Sequence, residues 1–128
     1  AWADAAIAAA GLGDRVDIRL QDYRLLDEQF DAIASVEMVE AVGERWWPTY
    51  CEAIARCLKP GGKAALQLIS IRHELFDSYA RGADFIQAYI FPGGCLIDEV
   101  RFAALAAERG LEWSDRMGFG LDYADTLR

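Results

Sequence analysis

The chain has 128 residues, 54% of them hydrophobic and 27% charged, which fits one globular domain with its own core and excludes a disordered segment. Its 21 acidic residues outweigh 13 basic ones, for a formal charge of -8, which opposes attraction to nucleic acid or to anionic lipid headgroups. Any lipid contact must therefore use apolar surface or a local basic patch. No apolar run reaches the roughly 18 to 20 residues of a membrane helix, and the N-terminus lacks a signal-peptide pattern, so the expectation is a soluble cytoplasmic protein.

In chain order, Trp2, Ala5, Ala6 and Ala9 form the apolar stripe of a helix that Gly11 or Gly13 would end. Val16, Ile18 and Leu20 alternate with polar residues as a half-buried strand. The mostly apolar run Phe30 to Val36 reads as a buried parallel strand. Pro48 is placed to start a helix with Trp47, Tyr50, Cys51, Ile54, Ala55 and Leu58 on one face, stopped by Pro60-Gly61-Gly62. Residues 63–71 read as the next buried strand. Asp98 is a candidate N-cap for a helix presenting Val100, Ala103, Ala104 and Ala107 and closing at Gly110. Residues 111–128 read as a strand and an irregular return. This alternation predicts an open α/β sheet with right-handed crossovers, and no linker or repeat divides residues 1–128.

Ligands of such sheets sit outside the carboxyl ends of the strands, so the residues after each strand are the functional candidates. Gln21-Asp22-Tyr23-Arg24 follows the first strand, and on its own is most simply a turn Asp with an exposed Tyr. Glu37 and Glu40, at i and i+3 after the second, share a face if that segment is helical, and alone are most simply a solvated helix face. Cys51, Cys57 and Cys95 lack metal-ligand spacing, and His73 is the one histidine, so the cysteines read as reduced thiols and no metal is expected.

Three strings carry a resemblance: Ser35-Val36-Glu37-Met38-Val39-Glu40-Ala41-Val42-Gly43, Tyr89-Ile90-Phe91-Pro92-Gly93-Gly94-Cys95-Leu96, and Phe119-Gly120-Leu121-Asp122-Tyr123-Ala124-Asp125-Thr126-Leu127. In order and spacing the chain resembles the cyclopropane-fatty-acyl-phospholipid synthases, with the mycolic acid cyclopropane synthases among them. The resemblance implies the C-terminal portion of a doubly wound, Rossmann-like methyltransferase fold that uses S-adenosylmethionine. Its first strand, glycine-rich turn, first helix and second strand are not in this sequence. Those strands would lie mid-sheet, so the expectation is a broken ladder, and a chain that belongs to a longer polypeptide or takes strands from elsewhere.

The same resemblance implies roles. Gln21, Asp22 and Tyr23 would face the adenine of the cofactor, with the backbone of Val36 beside it. Glu40 would stand at a catalytic anion site that holds bicarbonate, together with Gln67, the backbone at Ile69, and Tyr123. Ala41 replaces a histidine often found there, Gln67 replaces another, and none of the cysteines matches the family's. The reaction implied is methylene transfer to the double bond of an unsaturated phospholipid or other acyl chain, giving a cyclopropane. Gln67 keeps open a relative that methylates another lipid or hydrophobic molecule. The missing cofactor turn keeps open a non-catalytic fragment, and predicts that these residues alone are inactive. From the residues themselves, Phe91-Pro92-Gly93-Gly94 would shape a pocket, and Phe76, Tyr79, Phe85, Ile86, Tyr89, Ile90 and Phe91 read equally as an acyl surface or as an ordinary helix and loop packed against the sheet. Trp46-Trp47 reads as core or as lipid-facing surface. Transient membrane contact and a homodimer stay open, and no nucleic acid partner is expected.

Overall fold

Two layers of unequal quality make up this computed structural model, which describes residues 2–82, 85–120, 122 and 125. Helix α1 (Trp2–Ala9) leads through turns to a 3-10 turn at Tyr23–Leu25. Then follow β1 (Phe30–Val36), the single turn α2 (Val39–Val42), α3 (Trp47–Cys57), β2 (Leu58–Gln67), β3 (Ser70–Ile71), α4 (His73–Ala80), a π-helical turn (Ile86–Ile90), β4 (Ile97–Asp98) and α5 (Glu99–Ala107).

The helical layer holds the core. Pro48 lies in the first turn of α3, where its missing N–H costs nothing. From there Trp47, Tyr50, Cys51 and Ile54 bury one face against α5. Phe102 of α5 touches the rings of Trp47, Tyr50 and Trp113 at centroid distances of 5.7, 6.0 and 5.7 Å, and Trp47 meets Phe76 of α4 at 5.6 Å. Trp47 is thus core and Trp46 partly surface. Asp98 caps α5 as expected, accepting from the N–H groups of Val100 and Arg101. It is fully buried, and His73 Nδ1 at 2.8 Å and Arg101 Nε at 3.1 Å complete its shell. The buried face of α5, however, is Phe102 and Ala106; Val100 points outward, because the large ring takes the inward position that the smaller residues had been given.

The strand layer departs further from expectation. Strands β1 and β2 pair in parallel, Ala32 opposite Lys63 through Val36 opposite Gln67, while Phe30 pairs with Leu58 across a bulge. That bulge contains Pro60-Gly61-Gly62, so α3 ends before the proline, at Leu58, and the glycines shape a strand. Gly62 is obligatory there: a Cβ would stand 2.9 Å from the carbonyl of Lys59. The strand read over residues 63–71 breaks after Gln67, and Ser70–Ile71 pairs instead with Ile97–Asp98 in a second parallel sheet. Among the described residues the strands thus form two separate two-stranded parallel pieces, the broken ladder expected of a doubly wound sheet without its middle strands.

Residues 16–20 form no strand, since an alternating pattern supplies one apolar face but no ladder partner. Strand β1 is not buried either: its residues are exposed or half-exposed because no helix covers its outer face. Helix α1 buries none of its residues. Residues 111–119 are irregular rather than a strand.

Candidate functional site

The carboxyl ends of β1 and β2 meet two segments that the sequence keeps far apart. Glu37 leaves β1 with φ +47°, in the left-handed region that a non-glycine residue occupies at a cost of about 1–3 kcal/mol. Its N–H still reaches the carbonyl of Gln67 at 2.9 Å, so the ladder is extended while the chain turns into α2. Glu40, in that helical turn, lies between β2 and the Pro92-Gly93-Gly94 loop. The Ile69 N–H donates to Glu40 Oε1 at 2.5 Å, and the Cys95 N–H donates to the Glu40 carbonyl at 2.9 Å. Gly94 suits the tight path of this loop, because a Cβ there would stand 3.0 Å from the Phe91 carbonyl. The second carboxylate oxygen of Glu40 is buried and has no hydrogen-bond partner among the described residues. Glu40 and Ile69, paired in the sequence reading only through the resemblance, are thus in direct contact.

An open cleft of about 640 Å³ lies beside α2, lined by Gln21, Asp22, Tyr23, Met38, Ala41 and Trp46 among others. Asp22 caps the Tyr23–Leu25 turn by accepting from the Arg24 N–H, and pairs with the Arg24 guanidinium at 2.5 Å. The hydrogen bond from that guanidinium, above all, holds its carboxyl down at about 2, so Asp22 is an ionised acceptor at neutral pH. Tyr23 is fixed edge-on to Tyr50 at 5.9 Å, and the Tyr50 hydroxyl donates to Ser35 Oγ at 2.6 Å. Burial raises Tyr50 above its ordinary pKa. A planar, amine-bearing base fits this corner: an acceptor carboxylate, an aromatic ring and the apolar wall of Met38 and Ala41. Val36 does not line the cleft, and 63% of its surface is exposed. Met38, which carries no role in the sequence pattern, and Trp46, which reads there as core or lipid-facing surface, also line the cleft; their position after β1 is the available signal.

Ala41 on the cleft side and Glu40 on the other belong to one helical turn, so the cleft and the carboxylate cannot move independently. Gln67 is not aimed at Glu40: its Nε2 donates to Glu37 Oε1 at 3.0 Å. Tyr123 lies outside the described residues.

These contacts bear on bicarbonate. The orphaned oxygen of Glu40 suits an O–H donor, but the N–H of Ile69 and the amide of Gln67, both assigned to the ion, each donate to a carboxylate. A third anion would face two carboxylates across donors already engaged, and the described residues do not fit it.

The acyl surface divides in two. Phe76 is fully buried in the core and Tyr79 packs against it, its hydroxyl accepting from the Leu96 N–H. Phe85, Ile86, Tyr89, Ile90 and Phe91 remain exposed around the π-helical turn, with Phe85 and Tyr89 in ring contact at 5.3 Å. Among the described residues no helix is long and apolar enough to cross a membrane. Burial pushes the Cys51 thiol up to about 11, which leaves it protonated and a poor nucleophile.

Comparison with known proteins returns a consistent group. The family model described as mycolic acid cyclopropane synthetase matches residues 1–128. The tuberculostearic acid methyltransferase UfaA1 of Mycobacterium tuberculosis is 42% identical over 123 residues, 95% of this chain and 29% of that protein. The cyclopropane-fatty-acyl-phospholipid synthase of Escherichia coli K12 is 41% identical over 112 residues, 88% of this chain and 28% of that protein. The chain thus spans under a third of the length of these relatives. In three dimensions it superposes on the cyclopropane synthase MmaA2 of Mycobacterium tuberculosis with a TM-score of 0.73, covering 94% of this chain and 49% of that one at 22% identity, a likeness of fold.

Proposed function

This chain belongs to the mycolic acid cyclopropane synthetase family, and on that premise we propose that it forms one wall of the active site of an S-adenosylmethionine-dependent methyltransferase acting on the double bond of an unsaturated acyl chain. The observation that carries the reading is Glu40: a carboxylate tied to the Ile69 N–H, with a buried unpartnered oxygen, on the helical turn that also lines the cleft of Asp22 and Tyr23.

When bound, S-adenosylmethionine supplies an electrophilic methyl group. The chain's own residues do the rest. Asp22 and Tyr23 hold the adenine, with Gln21 and the Val36 backbone at the margin. Glu40, fixed before the reaction begins, favours the positive charge that develops on an alkene carbon, and a charge already in place costs no reorganisation. Tyr123 is assigned to the same site by the family pattern. The exposed rings of Phe85, Tyr89 and Phe91 give an acyl chain an apolar path that a net negative surface does not otherwise offer. A transient approach to a bilayer through this patch, by a protein working in the cytoplasm, follows from the same reading.

The product is the finer question. Because the Gln67 amide is committed to Glu37, a methyl-branched or methylene-bearing chain is the second reading beside a cyclopropane. Both are tested by grafting this segment in place of the matching stretch of the Escherichia coli synthase and analysing cellular lipids by mass spectrometry. Glu40→Gln should abolish turnover and leave cofactor affinity intact by calorimetry. Equal loss of cofactor binding would remove Glu40 from the assigned role. Clean cyclopropane, unchanged by Gln67→His, would leave only the first product.

A further inference from the structure

Gln67, which the resemblance assigns to a bicarbonate ion beside Glu40, here holds a second carboxylate, Glu37, and the surroundings of the two glutamates differ. Glu40 is held at both ends, its side chain by the Ile69 N–H and its carbonyl by the Cys95 N–H, and its remaining oxygen is buried. Glu37 is exposed, directly beyond the carboxyl ends of β1 and β2, where ligands of such sheets sit. Its backbone is forced into the left-handed region at that point, although glycine would take the turn without strain. The Gln67 side chain, on the neighbouring strand, grips its carboxylate at 3.0 Å, while the Gln67 carbonyl grips its N–H at 2.9 Å. A strained residue held from two directions by one neighbour is placed there by its surroundings.

We propose that Glu37 is the proton acceptor of the reaction, taking the place of a bicarbonate ion, with Gln67 as its positioning residue. The assignment rests on the reading under Proposed function. After methyl addition the acyl chain carries a cationic carbon beside the one bearing the new methyl. A C–H bond of that methyl breaks, the proton goes to a Glu37 carboxylate oxygen, and the C–H electron pair closes onto the cationic carbon to give a three-membered ring. If a hydride first shifts between the two chain carbons, so that the cation lies on the carbon bearing the methyl, the same deprotonation leaves a methylene branch (C=CH2) on the open chain. Both routes balance without an added oxidant or reductant, and Glu37 returns its proton to water. Gln67 cannot carry charge, but with its nitrogen on Glu37 it fixes where the accepting carboxylate points. This also accounts for an amide at a position where the resemblance has an imidazole: a resident carboxylate needs a donor to hold it, and an imidazole would be needed only to bind a mobile anion.

The test uses the graft into the Escherichia coli synthase, with the parent segment, Glu37→Gln, and a double variant Glu37→Gly with Gln67→His. Turnover is followed in carbonate-depleted buffer and with bicarbonate added, binding of ¹³C-bicarbonate by NMR, cofactor affinity by calorimetry, and folding by thermal melting. The parent should turn over equally in both buffers and show no bicarbonate binding. Glu37→Gln should lose about 10²–10⁴-fold in turnover, the range of a positioned general base, at unchanged cofactor affinity. The double variant should bind labelled bicarbonate and recover turnover only when it is present. A parent that requires bicarbonate, or a Glu37→Gln graft that keeps its rate, overturns the assignment. A folded parent graft that binds the cofactor yet methylates no acyl chain sinks the functional reading itself, a pattern distinct from loss confined to the Glu37 variants.

Discussion

Phe102 and Leu20 are both large apolar residues, yet one is 1% exposed among three aromatic rings and the other is wholly exposed. The contrast extends to their regions. Helices α3, α4 and α5 bury one another within this chain, whereas among the described residues most side chains of β1 and all of residues 16–20 stay exposed and α1 buries none of its own. The candidate site lies on the seam, with Glu40 braced from the packed side and Glu37 standing on the open one. Stability is therefore concentrated in the helical layer, away from the residues proposed for the chemistry.

The sharpest way to break this comparison is to empty the packed side. Phe102→Ala should cost about 3–5 kcal/mol, because it removes a ring with three aromatic neighbours and leaves a cavity that helices cannot collapse into. Asp98→Ala should cost about 1–2 kcal/mol, since it strips the cap from α5, while the exposed Arg101 keeps its pairing with Asp77. Urea unfolding followed by circular dichroism measures both. A loss no greater than that of Leu20→Ser, expected within about 0.5 kcal/mol of zero, would mean that the helical layer is not where the stability resides.

How far the sequence revealed these regions follows from what each needs. A helix is specified by neighbours three and four residues away, so α3 and the Asp98 cap of α5 were legible from spacing alone. A strand needs a partner that spacing does not name. Val16, Ile18 and Leu20 alternate correctly and still form no strand, while residues 63–71 split because Ser70 and Ile71 found Ile97 and Asp98. Within the site, Glu40 and Ile69 were legible through the family pattern. The Glu37–Gln67 pair was not, because each residue was read against its own motif and only the register of β1 on β2 sets Val36 opposite Gln67, at the strand ends where the two meet.

At the seam the expected effects are smaller and more selective. Gly94→Ala must move either the Phe91 carbonyl or the loop that holds Glu40, which should cost about 1–3 kcal/mol and lower turnover of the graft more than its cofactor affinity. Unchanged turnover at the same loss of stability would separate the loop from the site. Glu37→Gly should be close to neutral in stability, because relief of the left-handed strain offsets the lost hydrogen bond from Gln67. A large destabilisation would make Glu37 a structural residue rather than a chemical one.

The smallest effect belongs to the cleft. Asp22 has its pKa lowered from 3.8 to about 2, chiefly by the Arg24 guanidinium, so its ionised form favours the folded turn. A group depressed in this way contributes fully above its unfolded pKa and loses that contribution as the pH falls from about 4 through 2. Because the pair is solvent-exposed, salt should weaken it and global stability should barely register the change. The turn itself should respond: NMR of the Arg24 Nε–H should show that proton leaving its hydrogen-bonded position between pH 4 and pH 2. Asp22→Asn should flatten this titration and weaken capture of the adenine amine in the cofactor-binding graft, since an amide presents one acceptor oxygen where the carboxylate presents two. A titration centred near the usual carboxylate pKa would show that Arg24 does not hold Asp22 in solution, and the corner would then be a loose turn rather than a prepared adenine site.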